Sequence, residues 1–124
     1  MRTQITAAKG AKPVGPYSHA IKCAGAFLYV SGQGPANPAT GAVPATFREA
    51  AVQCLANVRT IVEAAGATMA DVVKVNAYLR DMADFAVFNE VYKTFFSEPF
   101  PARTTVQSNI SIPIEIDVVV VLPE

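Results

Sequence analysis

The spacing of hydrophobic positions changes several times along the chain, and each change predicts an element of secondary structure. Residues 17–31 predict two strands joined at Ala24-Gly25. The second strand contains the continuous apolar run 27–30, which is typical of a strand buried on both faces. Residues 32–44 are dense in Gly, Pro and Asn, and they predict a long turn region.

Beyond this turn region the apolar positions take on helical spacing. The apolar positions of the first predicted helix are Phe47, Ala51, Cys54, Leu55, Val58, Ile61, Val62 and Ala65. Gly66 follows as the C-cap of this helix, and residues 68–71 predict a capped turn. Residues 72–80 alternate between apolar and polar side chains, so they predict a strand with one drier face.

The C-terminal third predicts a second helix and two more strands. Asp84 is placed to cap the helix. The apolar stripe of this helix is Phe85, Phe88, Val91, Tyr92 and Phe95. A strand is predicted over 104–108, then a loop through Pro113, and a last strand over 114–122.

The predicted order β-β-α-β-α-β-β indicates a two-layer α+β domain, because two helices cover only one face of one sheet. The 124 residues fit a single domain, which we predict over 1–124. The last predicted strand is apolar on both faces over 118–121. We therefore expect the sheet face without helices to be buried by another subunit.

Composition excludes several classes of function. Hydrophobic residues make up 52% of the chain and charged residues only 16%, against a usual charged share of roughly 25%, which again favours subunit association. Lys+Arg and Asp+Glu are both 10, so a net charge of +0 gives no broad field to attract nucleic acid or an anionic membrane. Neither a basic run nor an RNA-recognition signature is present, and no apolar run approaches a membrane span.

Targeting and metal-binding signals are missing from the sequence as well. The N-terminal stretch is too polar, and too broken by Gly and Pro, for a secretory signal. Cys23 and Cys54 have no metal-type spacing, and two cysteines do not make a disulfide framework. His19 is the single histidine and has no second His or nearby Cys to form a zinc signature. These features predict a cytoplasmic, reduced and metal-free protein.

One arginine stands inside an otherwise uncharged run, FPARTTVQ at 100–107. Arg103 in this run is a solvent-exposed strand residue, half of a structural ion pair, or an anchor for an anion. Glu115 lies in a strongly apolar strand, where restricted hydration raises the proton affinity of a carboxylate and prepares it to steer or deprotonate a water. The alternative interpretation is that Glu115 pairs with Arg103 across neighbouring strands.

Three further polar side chains have ordinary structural interpretations from the residues alone. Tyr17, at the entrance to the first strand, is typical of core or rim packing. Asn89 lies off the apolar stripe of the second helix, which indicates solvent exposure. His19 has Ser18 beside it but no evident acidic partner, so we interpret it as a hydrogen-bonded strand histidine rather than part of a catalytic triad.

Seven segments, taken in order, resemble the Rid family, also called YjgF. They are GPYSHA (15–20), VSGQ (30–33), NPATG (37–41), NVRTIVEAAG (57–66), DVVKVNAYLRDMADFAVFNEVY (71–92), FPARTTVQ (100–107) and IEID (114–117). The match runs from Gly15 nearly to the C-terminus, and FPAR followed by IEI is its most specific part. Members of this family are imine/enamine deaminases.

The resemblance implies a chorismate-mutase-like α+β fold and a homotrimer. The sheets would pack around the centre of the trimer, with the helices outside and three clefts between subunits. It also implies cofactor-free hydrolysis of the short-lived 2-imino acids that pyridoxal-phosphate enzymes release, giving 2-keto acids and ammonia. This is the reaction of a 2-iminobutanoate/2-iminopropanoate deaminase.

The resemblance assigns roles to individual residues. Arg103 would grip the substrate carboxylate, because a planar guanidinium matches a carboxylate with two hydrogen bonds. Glu115 would position the attacking water. Tyr17 would line the cleft from the neighbouring subunit, Gly32 would offer a backbone carbonyl, and Asn89 would also contact the substrate.

The chain departs from archetypal members of the family at three places. Many of them have Cys two residues after the arginine, where this chain has Thr105, whose hydroxyl and backbone N–H remain available to a substrate. The loop 108–113 is shorter than the corresponding segment. Gly34 replaces a common aliphatic residue and is expected to open space, so the preferred substrate side chain is not predicted.

Three functions remain in competition at this stage. The first is a 2-imino acid deaminase, and the second is hydrolysis of another enamine, of the aminoacrylate or aminomuconate type. The third is a non-catalytic trimer that binds a small carboxylate or a partner protein. Endoribonuclease and translation-inhibitor labels are also used for the family, and the neutral charge argues against both here.

Overall fold

Six strands and two helices organise residues 2–124, the part of the chain that the computed structural model describes, in the order β1-β2-β3-α1-β4-α2-β5-β6. The strands are β1 (Arg2–Ile5), β2 (Ala20–Cys23), β3 (Phe27–Gln33), β4 (Val72–Leu79), β5 (Ala102–Gln107) and β6 (Ile114–Val121). The helices are α1 (Phe47–Ala64) and α2 (Phe85–Phe95), with 3-10 turns at Met69–Asp71 and Met82–Asp84.

The strands form two sheets rather than one. The larger has the order β3-β6-β4-β5, and the smaller consists of β1 and β2. β6 runs antiparallel to both β3 and β4, whereas β4 and β5 are parallel. Since β4 lies between β5 and β6, the two strands that carry Arg103 and Glu115 are not neighbours.

Both helices pack on the same face of the larger sheet, which confirms the predicted mixed α+β fold. The core lies between the sheet and the helices. Alternate residues of β4 and β6 form its sheet side, and the apolar stripes of α1 and α2 form its helix side. The most buried of these side chains are Val75, Leu79, Ile114, Ile116, Val118, Val120, Leu55, Val58, Val62, Phe88 and Tyr92.

The ends of the helices follow local hydrogen-bond chemistry. Thr46 caps α1 by accepting from the N–H of Glu49 at 3.2 Å, and Gly66 takes a positive φ of 83° just beyond the helix, as its predicted role requires. The expected cap of α2 is different. Asp84 makes no side-chain capping bond, and Asp81 instead accepts from the N–H of Ala83 at 2.9 Å, one turn earlier.

The strand β1 is absent from the predicted order. Its burial pattern has no apolar side, because Thr3, Gln4 and Ile5 are all exposed. It pairs antiparallel with β2 and is held by Arg2, whose guanidinium donates to the carbonyls of Pro99 at 3.0 Å and Val72 at 3.1 Å. These contacts tie the small sheet to the segment that leads into β5.

The helix-free face of the larger sheet exposes large apolar side chains. Phe27 and Tyr29 on β3 are 41% and 75% exposed, and Val106 on β5 is 42% exposed. The register places Tyr29 beside Val119 of β6. This face is therefore uncovered in the single chain.

Within residues 2–124, no helix is both long and apolar enough to cross a membrane.

Candidate active site

Arg103 lies on the edge strand β5, and its side chain points to the helix-covered face. In the register it stands opposite Val75, which is fully buried on that face. The aromatic stripe of α2 closes over the guanidinium, with Cζ 5.2 Å from the ring centroid of Phe88 and 4.8 Å from that of Tyr92. Burial lowers the pKa of Arg103 from its ordinary value, but an arginine remains a cation at neutral pH.

No carboxylate neutralises this cation within residues 2–124, where the one ion pair is Arg48–Glu90 on the surface. Arg103 is half-buried rather than exposed. In the folded chain Arg103 is therefore neither a solvent-exposed strand residue nor half of a structural ion pair. The interpretation that remains is the anchor for an anion.

Other polar groups gather around Arg103. The ring of Tyr17 lies 5.6 Å from its Cζ. At Gly15, an added Cβ would lie 3.1 Å from Nη2 of Arg103 and 3.5 Å from Nδ2 of Asn89, so a larger residue would press on the guanidinium and contact the amide. Thr105 follows two residues along β5 and shares the face of Arg103. We call these five residues the Arg103 half-site.

Three buried polar atoms of the Arg103 half-site lack a hydrogen-bond partner: Nη1 of Arg103, Oδ1 of Asn89 and Oγ1 of Thr105. A buried donor or acceptor left without a partner costs on the order of 1–3 kcal/mol, so such atoms are uncommon, and a group of three calls for partners such as a ligand or water. Beside them is an open cleft of about 210 Å³. It is lined by Val14, Tyr17, Met82, Phe85, Arg103 and Thr105.

Glu115 belongs to the other face of the sheet. It pairs in register with Tyr78, which lies an odd number of residues from Val75 and so points away from the core. The pairing of β3 with β6 shifts between Val30 and Gln33, and this irregularity brings Gly32 against the Glu115 side chain. A Cβ on Gly32 would lie 2.4 Å from Oε2 of Glu115, so any other residue at this position would displace the carboxylate. We call Gly32 and Glu115 the Glu115 half-site.

The two half-sites do not meet within one chain. Arg103 and Glu115 lie on opposite faces of the sheet, with β4 between their strands. The interpretation that they form an ion pair across neighbouring strands is therefore wrong. Tyr17 lies against Arg103 of its own chain and so belongs to the Arg103 half-site.

One more side chain and one more expectation concern the surroundings of Glu115. Asp117, on the same face, accepts a hydrogen bond from Nδ2 of Asn76 at 2.9 Å and has a structural role. The space expected at Gly34 is filled, because a Cβ there would lie 2.8 Å from Cδ1 of Ile112. The short loop 108–113 thus supplies the apolar group that the glycine lacks.

Cys54 lies under this region but is not prepared for nucleophilic chemistry. Its Sγ donates to the carbonyl of Gln33 at 3.1 Å. Burial, together with the negative charge of Glu115, raises the pKa of the thiol to about 12, and only the thiolate form of a cysteine is a nucleophile. Among residues 2–124, no three His, Cys, Asp or Glu side chains are grouped so that they could hold a metal ion.

One member of the Arg103 half-site and three residues of its cleft were not found as site residues from the sequence. Gly15, Val14, Met82 and Phe85 had no site role assigned, although Gly15 lies in the motif GPY at 15–17. The apolar wall residues give no signal of their own, because only the fold brings residue 14, residue 82 and β5 together.

Comparison with known proteins identifies the family. The family model described as endoribonuclease L-PSP matches residues 8–122. The chain belongs to this family, which is also the YjgF/RidA family. The resemblance seen in the sequence is therefore confirmed for this Rid/YjgF chain.

Individual relatives cover most of the Rid/YjgF chain. A RutC family protein of Pyrococcus horikoshii is 47% identical over 108 residues, which are 86% of this chain and 85% of that protein. A 2-iminobutanoate/2-iminopropanoate deaminase of Dermatophagoides farinae is 47% identical over 96 residues, covering 77% and 74% of the two chains. The crystal structure of Escherichia coli TdcF with bound serine has a TM-score of 0.75 and 35% identity, covering 98% of this chain and 99% of that one.

Proposed function

We propose that this protein is a deaminase that hydrolyses reactive 2-imino or enamino acids to 2-keto acids and ammonia without a cofactor. The observation that carries the proposal is Arg103, a half-buried cation with no carboxylate partner beside a small cleft. Such a group binds a carboxylate-bearing small molecule, and a guanidinium does so with two hydrogen bonds. The names of relatives support the chemistry, since one is a deaminase of 2-imino acids and another was crystallised with serine.

We further propose that a second copy of the chain completes each site. Because the Arg103 half-site and the Glu115 half-site lie on opposite faces of one sheet, they can only face each other across an interface between copies. A closed ring of three copies joins the Arg103 half-site of one copy to the Glu115 half-site of the next, three times. The exposed Phe27, Tyr29 and Val106 favour such an assembly.

The proposed reaction needs orientation, one water and movement of protons. Arg103 holds the substrate carboxylate, which fixes the imine carbon beside the neighbouring Glu115. The Glu115 carboxylate accepts a hydrogen bond from water, and the water oxygen adds to the imine carbon as its proton passes through Glu115 to the imine nitrogen. The C–N bond of the resulting carbinolamine then breaks, its hydroxyl proton goes to nitrogen, and a keto acid and ammonia leave.

Two other functions compete with this proposal. Hydrolysis of an aminoacrylate or aminomuconate-type enamine uses the same groups and differs only in substrate. A non-catalytic trimer that binds a small carboxylate would need Arg103 but not Glu115. The endoribonuclease in the family description is not favoured here, because a net charge of +0 provides no field for a polyanion.

The direct test adds the protein to a threonine dehydratase reaction, which releases 2-iminobutanoate, and follows 2-ketobutyrate and ammonia. The proposal expects faster release of both products with no change in the rate of threonine consumption. Arg103→Ala serves as the matched control and should give no acceleration. Binding of 2-ketobutyrate without acceleration for several 2-imino acids would contradict the deaminase and favour the binding protein.

A further inference from the structure

His19, the single histidine, holds both of its ring nitrogens against the backbone of the preceding loop. Nδ1 accepts from the N–H of Ala7 at 3.0 Å, and Nε2 lies 2.5 Å from the carbonyl oxygen of Ala11. A backbone N–H only donates and a carbonyl only accepts. Both bonds therefore exist together only in the neutral tautomer that carries its proton on Nε2. The expectation of a hydrogen-bonded histidine holds, but His19 lies just before β2 and not in a strand.

The loop itself is closed tightly around the ring. The N–H of Gly10 donates to the carbonyl of Ala7 at 3.0 Å, which makes a turn between the two residues that His19 binds. A Cβ on Gly10 would lie 3.2 Å from Cε1 of His19. The imidazole thus fills the inside of the turn formed by residues 7–11.

This turn leads directly into the wall of the Arg103 half-site. Val14, three residues beyond Ala11, lines the cleft, and its N–H donates to the hydroxyl of Tyr17 at 3.2 Å. Ser18 stands between Tyr17 and His19 and is fixed to the approach to β5, because its N–H donates to the carbonyl of Pro101 at 3.1 Å. His19 therefore connects the stretch 17–19 to the loop 7–11 that precedes Val14.

We propose that neutral His19 is a positioning residue, which closes the loop so that Val14 and Tyr17 line the Arg103 cleft, and that protonation of the ring opens the loop and frees these two lining residues. The inference rests on the proposed function in that the cleft binds a carboxylate. A second proton on the ring has to go to Nδ1, and it removes the acceptor of the Ala7 N–H. Protonation of the ring therefore opens the loop, and ligand binding should weaken in mild acid.

No acidic group near the ring provides another explanation. The titratable residues of the loop and of the two strands beside it are Arg2, Lys9, Lys12, Tyr17, Lys22 and Cys23. The guanidinium of Arg2 is directed to the carbonyls of Pro99 and Val72. Within residues 2–124 His19 has no carboxylate in ion-pair contact, so an imidazolium would gain no new partner that keeps the loop closed.

The test compares the wild type with His19→Gln and His19→Ala by titrating 2-ketobutyrate between about pH 5 and pH 8, a range that spans histidine protonation. Glutamine offers one acceptor and one donor but takes up no proton. We expect the wild-type Kd to rise roughly two- to tenfold on acidification, the factor for one lost hydrogen bond. His19→Gln should have a flat profile, and His19→Ala should bind weakly throughout.

Identical pH profiles for the wild type and His19→Gln would overturn the proposal. A second measurement separates its failure from that of the proposed function. Hydrogen exchange at the Ala7 amide should lose protection on acidification in the wild type and keep it in His19→Gln, whether or not a keto acid binds. If the wild type binds no 2-ketobutyrate at any pH, the proposed function fails. If the protection of the Ala7 amide in the wild type does not change on acidification, the role of His19 is overturned.

Discussion

At the scale of single residues, the ability of a charged side chain to bind a ligand depends on the groups that surround it. Arg103 is surrounded by the aromatic rings of Tyr17, Phe88 and Tyr92 and has no carboxylate partner in residues 2–124. Rings shield the guanidinium from water and attract it through their faces, but they do not satisfy its hydrogen bonds. The unused donors are therefore available to a carboxylate.

Arg103→Ala should abolish binding of 2-ketobutyrate while the protein keeps its assembly. Losing the partner of a desolvated anion costs about 2–5 kcal/mol of binding free energy. Arg103→Lys should restore only part of the affinity, because a point charge cannot make the two parallel hydrogen bonds. Isothermal titration and melting curves on the three proteins check this.

Glu115→Gln is the matched comparison and should still bind 2-ketobutyrate while hydrolysing imines slowly. Since Arg103 and Glu115 lie on opposite faces of the sheet, their effects on stability should add in the double variant. A double variant clearly more stable than that sum would mean that the two residues pair directly across the interface between copies instead of holding a substrate between them.

Gly32→Ala should reduce turnover without removing ligand binding. The new Cβ would lie 2.4 Å from Oε2 of Glu115, so the carboxylate has to move, and a displacement of this size at a reacting group costs on the order of 100-fold in rate. Ser31→Ala, one residue earlier and exposed, is the control and should be active. Wild-type turnover in Gly32→Ala would show that the position of Glu115 is unimportant.

At the scale of elements, the small β1–β2 sheet and the residues beside it hold the segment that leads into β5 by hydrogen bonds. Arg2 bonds the carbonyls of Pro99 and Val72. The hydroxyl of Ser18 donates to the carbonyl of Phe100, and Gln4 donates to Ser18 at 3.1 Å. The segment that orients Arg103 is thus held by an element with almost no apolar burial of its own.

Arg2→Ala should lower the free energy of unfolding by about 1–3 kcal/mol, since it removes two hydrogen bonds from a charged donor. Arg48→Ala is a suitable control. Its ion pair with Glu90 joins side chains that are 54% and 62% exposed, and such a pair contributes roughly 0–1 kcal/mol. Urea unfolding at one fixed protein concentration measures the free energy of unfolding of both variants. Equal losses would contradict the stabilising role of the Arg2 hydrogen bonds.

The elements also explain how much could be predicted from the sequence. α1, α2, β4 and β6 were predictable because burial on one core imposes a period on their apolar residues. β1 was not, since it is short and polar and is stabilised by contacts about seventy or more residues away. Except for Gly15, the residues of both half-sites were named from family motifs, but their faces depend on the strand order β3-β6-β4-β5, which no local pattern encodes.

At the scale of the whole molecule, the uncovered sheet face and the divided site lead to the same expectation. Tyr29→Glu places a charge on a face where Tyr29 is 75% exposed in the single chain and should shift the protein from trimer to monomer. Val52→Glu, on a residue 44% exposed on α1, should remain a trimer. Sedimentation equilibrium at micromolar concentration distinguishes these outcomes, and a stable wild-type monomer would remove the basis for a shared site.

The central claim is that each active site joins Arg103 of one copy to Glu115 of another. It is tested most directly by mixing Arg103→Ala, expected to be inactive, with Glu115→Gln, expected to be slow, under conditions of subunit exchange. In a closed ring every mixed trimer then has one cleft with both native residues, so imine hydrolysis should return to about a quarter of the wild-type rate for an equal, random mixture. No recovery, with mixed trimers demonstrated by mass spectrometry, would contradict the shared site.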